Sequence, residues 1–292
     1  MNMHRPKRPR KPACRLAFWV VALVTLATPG LFAQAPTIQC VRVAEHGPLV
    51  DPEAAWWAKL PATEVTLLPQ TITAPTNPHA AVQKLIVRAA HNGEWISFRL
   101  EWEDATQSDT IVVDRFGDQV AVELPNEFRE DALPSPMMGN PGARVTIMQW
   151  RAAFQRDLDY GEPNVRDLYP FALVDVYPDQ VLSAIDARPY MGAVGVDNPI
   201  SHPRRSPVLD QMAEGWGTMT VKADQHADGR GLWRAGTWRV AIARPLRTGA
   251  KNDPQLSPGA KTVAAFAVWE GGNREVGSRK AWSPWVSVEL AE

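Results

Sequence analysis

The chain has 292 residues, a formal net charge of −1, 26 prolines, 12 tryptophans and only two cysteines, Cys14 and Cys40. With one cysteine in the part expected to fold, there is no CxxCH for covalently attached haem, no four-cysteine set for an iron–sulfur cluster and no zinc knuckle. A near-neutral balance also speaks against nucleic acid, whose binding needs basic patches to displace counterions.

Residues 1–35 read as a secretory signal peptide. Arg5, Lys7, Arg8, Arg10, Lys11 and Arg15 precede a short apolar run over residues 16–26, and Ala33 and Ala35 offer small residues for cleavage. The run is too short for a permanent membrane anchor. Six of the 31 basic residues and none of the 32 acidic ones lie in this segment, so the remainder would carry about −7. Residues 36–292 are then expected to form one exported domain that relies on its apolar core and not on disulfides.

Apolar alternation at period two dominates that domain. Ile96, Phe98, Leu100 and Trp102 share one face of a strand that follows the turn-forming pair Asn92-Gly93. Val120, Val122 and Leu124 predict a strand ending at Pro125, and further strands are expected over residues 145–148, 238–243, 263–269 and 285–290. Ser206-Pro207 reads as a helix N-cap and first turn, with Gly215 as the stop. Two long loops, 126–144 and 177–205, are functional candidates by their length. The fold expected is all-β, a two-sheet antiparallel sandwich with few short helices.

The chemistry-bearing residues form few constellations. Glu101, Glu103 and Asp104 lie at a strand end and read as a solvated edge. Asp114 to Gly117 (DRFG) contains no accompanying kinase signature and reads as a turn. The histidines (His46, His79, His91, His202 and His226 beyond the leader) fall outside any ligand-type pairing and are expected in turns or loops. Twelve tryptophans suit a cofactor pocket, a subunit interface or a sugar-binding surface, so a carbohydrate-binding sandwich stands as the alternative reading.

Four stretches carry a family resemblance: Val87 to Trp95 (VRAAHNGEW) running into Phe98-Arg99-Leu100-Glu101-Trp102; Pro136-Met137-Met138-Gly139-Asn140-Pro141-Gly142; Ala213-Glu214-Gly215-Trp216-Gly217; and Trp269-Glu270-Gly271-Gly272-Asn273 followed by Ser278-Arg279-Lys280. In this order they resemble the haem-binding γ subunits of ethylbenzene dehydrogenase, dimethylsulfide dehydrogenase and the chlorate and selenate reductases. The resemblance implies a β-sandwich holding one non-covalent haem b between a methionine and a lysine, mapping onto Met138 and Lys280. It also implies a molybdenum catalytic α subunit and an iron–sulfur β subunit as partners, a periplasmic location, and electron relay to a carrier such as a c-type cytochrome. Met137, beside Met138, and Lys261 stay open as alternatives. A thioether favours reduced iron, and a lysine can ligate only as the free amine.

Overall fold

The computed structural model describes residues 36–171, 184–186, 198, 200 and 204–292. The predicted leader, His202 and most of the 177–205 loop lie outside the described residues.

Fourteen strands alternate with loops: β1 (Thr37–Arg42), β2 (Thr63–Thr66), β3 (Leu68–Pro69), β4 (Lys84–His91), β5 (Trp95–Glu103), β6 (Gln119–Pro125), β7 (Val145–Arg151), β8 (Val208–Ala213), β9 (Thr220–Val221), β10 (Asp228–Trp233), β11 (Thr237–Pro245), β12 (Lys261–Trp269), β13 (Ala281–Trp282) and β14 (Val286–Leu290). Their hydrogen-bonded order is β10-β11-β5-β4-β1-β14-β12-β6-β7-β8-β9. This path folds into two layers at β12. The first half of β12 pairs with β14, from Lys261↔Glu289 to Ala264↔Val286, and the second half pairs with β6, from Ala265↔Glu123 to Trp269↔Gln119. One strand therefore serves both layers.

The expectation of an all-β sandwich holds, with one refinement. β1 is parallel to both its neighbours, β14 and β4, while the other ladders are antiparallel. Neither partner follows β1 directly in sequence, so the parallel pairing needs no hairpin.

Alternation sorts each strand into an inner and an outer set. Val120, Val122 and Leu124 face Phe98, Leu100, Val240 and Ile242 across the interior, all at 0% exposure. Aromatic pairs tie the layers: Phe98 meets Phe266 edge-on at 6.2 Å, and Trp150 of β7 meets Trp238 of β11 at 5.0 Å. Trp150 fits because β10 has glycine opposite it. A Cβ on Gly231 would fall inside the Trp150 ring, and one on Gly229 would come within 2.7 Å of Val208 and the Ala241 carbonyl. We expect Gly231→Ala to lower stability by about 1–3 kcal/mol, the usual range for overpacking. Chemical denaturation should show this as a lower midpoint with an unchanged slope.

The helix expected over 206–215 is the strand β8. Its start carries the Ser206 signal, but the hydroxyl accepts the Val208 N–H at 3.1 Å as a turn at the strand entry. Register with β7 from Trp150↔Val208 to Val145↔Ala213 then overrides the local signal. A helix that the pattern did not announce, α1 (Ala152–Tyr160), follows β7 directly; its N-cap position is Arg151, with no side-chain cap. A second, α2 (Val165–Leu168), opens on an Asn164–Asp167 capping box.

Candidate functional site

The outer face of the β12-β6-β7-β8 layer is not a solvated face. All seven residues of β6 are buried, and so are six of the seven in β7. By register this face carries Ala265, Ala267 and Trp269 from β12, Gln119, Ala121 and Glu123 from β6, Val145, Ile147 and Gln149 from β7, and Gln211 and Ala213 from β8. The alanines leave a low floor. Ala121, Val145, Ile147, Ala213, Ala267 and Trp269 form one apolar cluster, against which Met138 and Trp285 pack. At its side three buried amides run in a chain, Gln211 donating to Gln149 at 2.8 Å and Gln149 to Gln119 at 2.7 Å.

Met138 is held over this floor by the 126–144 loop. It has φ of 70°, in the left-handed region that a β-carbon disfavours, and Gly139 continues there at 69°. A Cβ on Gly139 would lie 2.7 Å from the Ala143 carbonyl, so glycine is required by space as well as by backbone. Several bonds pin the loop. Gly139 N–H donates to the Ser135 carbonyl at 2.9 Å, Gly215 N–H to the Met138 carbonyl at 2.7 Å, and the Trp285 indole to the Pro134 carbonyl at 2.6 Å. The neighbouring Met137 lends its carbonyl to the Trp216 indole at 3.1 Å. Of the two methionines only Met138 belongs to the apolar cluster.

Lys280 arrives from the other side, at the end of the turn that follows β12. Ala281 and Trp282 pair with Val268 and Ala267, which fixes the residue just before them, and the Gln70 N–H donates to the Lys280 carbonyl at 3.3 Å. Its ammonium position lies 5.3 Å from the centre of the Trp269 ring. Burial lowers the Lys280 pKa, and Glu123 partly opposes that shift. Lys261 is different: it is exposed at the far end of β12 and paired with Glu289 at 3.0 Å, which raises its pKa.

Glu123 is the residue that sequence reasoning missed. It is 8% exposed, with Oε1 unpartnered. Burial raises its pKa, and Lys280 and the Met138 amide both pull it back. The same carboxyl therefore feels both of the residues expected from the resemblance. The available signal was a lone acid inside Val120-Ala121-Val122-Glu123-Leu124, at a position that alternation alone would turn away from the core.

The histidines do not converge here. His46 and His79 are exposed and His226 is half-buried. His91, expected in a turn, is instead the last residue of β4 and wholly buried. Among the described residues none of them belongs to the apolar cluster.

These residues suit a large planar group with a metal centre. A thioether and a lysine of lowered pKa border one flat, alanine-floored face, and two buried polar atoms there, Glu123 Oε1 and Trp282 Nε1, have no partner. In class, the molecule is a β-sandwich with a covered site on the outside of one layer.

Comparison with known proteins gives the family. The profile described as ethylbenzene dehydrogenase matches residues 54–167 and 210–281, more than half of the chain. The chain belongs to the ethylbenzene dehydrogenase family. It is 27% identical to the chlorate reductase subunit gamma of Ideonella dechloratans over 87% of this chain and 85% of that one. It is also 24% identical to the dimethylsulfide dehydrogenase subunit gamma of Rhodovulum sulfidophilum, over 77% and 69%. A protein of Haloferax mediterranei named as the candidate heme subunit of a respiratory nitrate reductase is 23% identical over 96% and 84%. Among solved structures, a carbohydrate binding module family 9 domain from Caldicellulosiruptor kristjanssonii in complex with glucose covers 87% of this chain and 95% of its own. It is 10% identical with a TM-score of 0.41, too distant to carry an argument.

Proposed function

We propose that this chain is the haem-binding, electron-transferring γ subunit of a molybdenum oxidoreductase, and that Met138 and Lys280 are the residues that would hold its one non-covalent haem b. The observation that carries the reading is the convergence of these two residues, distant in sequence, on one apolar cluster with Glu123 between them. When bound, the haem would supply a one-electron iron couple. The protein's own part is to exclude water with the alanine floor and tryptophans, to fix the thioether by the Met138-Gly139 backbone, and to present lysine as an amine. Two protein ligands leave no open coordination position, so the site carries electrons and binds no substrate.

By the same reading the chain is exported, loses its leader after Ala33 or Ala35, and works in the periplasm. It would do so beside a molybdenum catalytic α subunit and an iron–sulfur β subunit, exchanging electrons with a carrier such as a c-type cytochrome. Among the described residues no helix is long and apolar enough to cross a membrane. The names of the relatives support the assembly.

The test is an absorbance and carbon monoxide experiment on purified, haem-loaded protein. The parent should show a six-coordinate low-spin spectrum and bind no carbon monoxide when reduced. Met138→Ala should open one position, bind the gas and lower the reduction potential, whereas Met137→Ala should behave as the parent. A reversed outcome would move the ligand to Met137. Protein purified from its native host with no haem absorbance, and none after haem addition, would return the reading to a carbohydrate-binding module.

A further inference from the structure

A second cluster lies where β5 and β12 end and β6 begins, and takes no part in the haem reading. Asp104 follows β5, Asp118 precedes β6 and Glu270 follows β12, so three loops from both layers bring their carboxyls together. One oxygen from each lies within 4.8 Å of the others. The sequence pattern suggested a solvated edge for Asp104. It is in fact 4% exposed, and Asp118 is at 0%.

The charges are not balanced by protein. Among the described residues no lysine, arginine or histidine nitrogen pairs with Asp104, Asp118, Glu270 or the neighbouring buried Glu275. Local donors satisfy part of the set. Asp118 accepts from Ser108 N–H at 2.7 Å, the Trp238 indole at 3.0 Å and Gly271 N–H at 2.8 Å. Asp104 Oδ1 accepts from the Thr106 amide at 3.0 Å and Glu270 Oε1 from Gly272 N–H at 2.9 Å, while the Thr106 hydroxyl lies 3.2 Å from both oxygens and has one proton to give to either. Asp104 Oδ2 remains buried without a hydrogen bond; the Trp102 indole leans toward that carboxylate without completing one. A buried carboxylate oxygen left open among two more acids is costly unless a cation completes it.

We propose that Asp104, Asp118 and Glu270 bind a calcium ion that joins the two layers. Their oxygen-only chemistry suits a hard cation. A Ca–O distance of about 2.3–2.6 Å spans oxygens up to roughly 5 Å apart, whereas the shorter Mg–O distance of about 2.1 Å would require the carboxylates to close in. Glu270 also opens the turn that ends at Lys280, so the ion would brace the segment that delivers that residue.

Stripped of metal and titrated with calcium chloride, the purified full chain should gain about 5–10 °C in Tm at a hundredfold excess over Kd. Magnesium should do much less. Terbium should light up on tryptophan excitation, since the Trp238 indole sits 3.0 Å from Asp118, and calcium should quench that signal by displacement. Asp104→Asn should abolish both responses while leaving the calcium-free protein at least as stable as the parent, because one uncompensated charge is gone. If that variant does not fold, Glu270→Gln, on the half-buried rim, should lose at least tenfold in calcium affinity. A parent whose Tm and terbium signal ignore calcium overturns the proposal, as does a calcium response that survives in both variants. No haem is needed for any of these readings.

Discussion

Replacing Lys280 by alanine should convert a six-coordinate low-spin haem into a five-coordinate or water-ligated one, visible by absorbance and electron paramagnetic resonance. An ordinary lysine holds its proton up to about pH 10.4, so iron must compete with a strongly bound proton. Lys280 begins with an advantage: burial disfavours its charged form, against the pull of Glu123 and of the Trp269 ring face 5.3 Å away. Lys280→Arg should not restore ligation, because guanidinium keeps its proton and offers no free lone pair. The sign of the pH response follows. Acid restores the ammonium, so the parent should lose the ligand reversibly as pH falls, and Lys280→Ala should show no such transition. Spectra of Lys280→Ala identical to those of the parent would end the assignment.

Trp150→Ala should cost about 3–5 kcal/mol, the range for emptying a fully buried large side chain. Trp150 is at 0% exposure, crosses the interior to Trp238 and occupies the space that Gly231 leaves. Its indole nitrogen has no hydrogen-bond partner, so Trp150→Phe gives up packing alone and should cost clearly less. The pair can be dissected. Gly231→Ala clashes with Trp150 and with nothing else that close, and so it should become nearly harmless once the indole is gone. A double-mutant cycle by urea denaturation measures that coupling, and additive costs would mean that the two residues do not share the space.

How far the fold could be read depends on which face of a strand is considered. Ile96, Phe98, Leu100 and Trp102 announced the inner face, and they line the core. Nothing in the pattern marked the other face of β6, where Gln119, Ala121 and Glu123 are polar or small yet buried; a second covering layer is not written into a period of two. The same limit hid Asp104, which is acidic at a strand end yet buried by loops from distant strands. Helix signals failed in both directions. Ser206-Pro207 carries a helix start but enters a strand, and α1 begins on Arg151 with no cap to advertise it. Met138 and Lys280 could not come from spacing at all. They came from the family resemblance, and a left-handed backbone at a non-glycine residue is visible only in three dimensions.

Between β14 and β4, strand β1 acts as a latch: the first strand of the fold is zipped on one side to the last. A growing or threading chain therefore cannot close this layer until residues 286–290 have arrived, because β1 and the first half of β12 have no common neighbour before then. Loop closure over nearly the full chain makes that the slow, late event. The face against which Met138 packs, built from β6, β7, β8 and the second half of β12, does not wait for the latch. Order of assembly is thus written into strand order: that face can form while the other layer is still open, and β14 is the strand that joins β1 to β12.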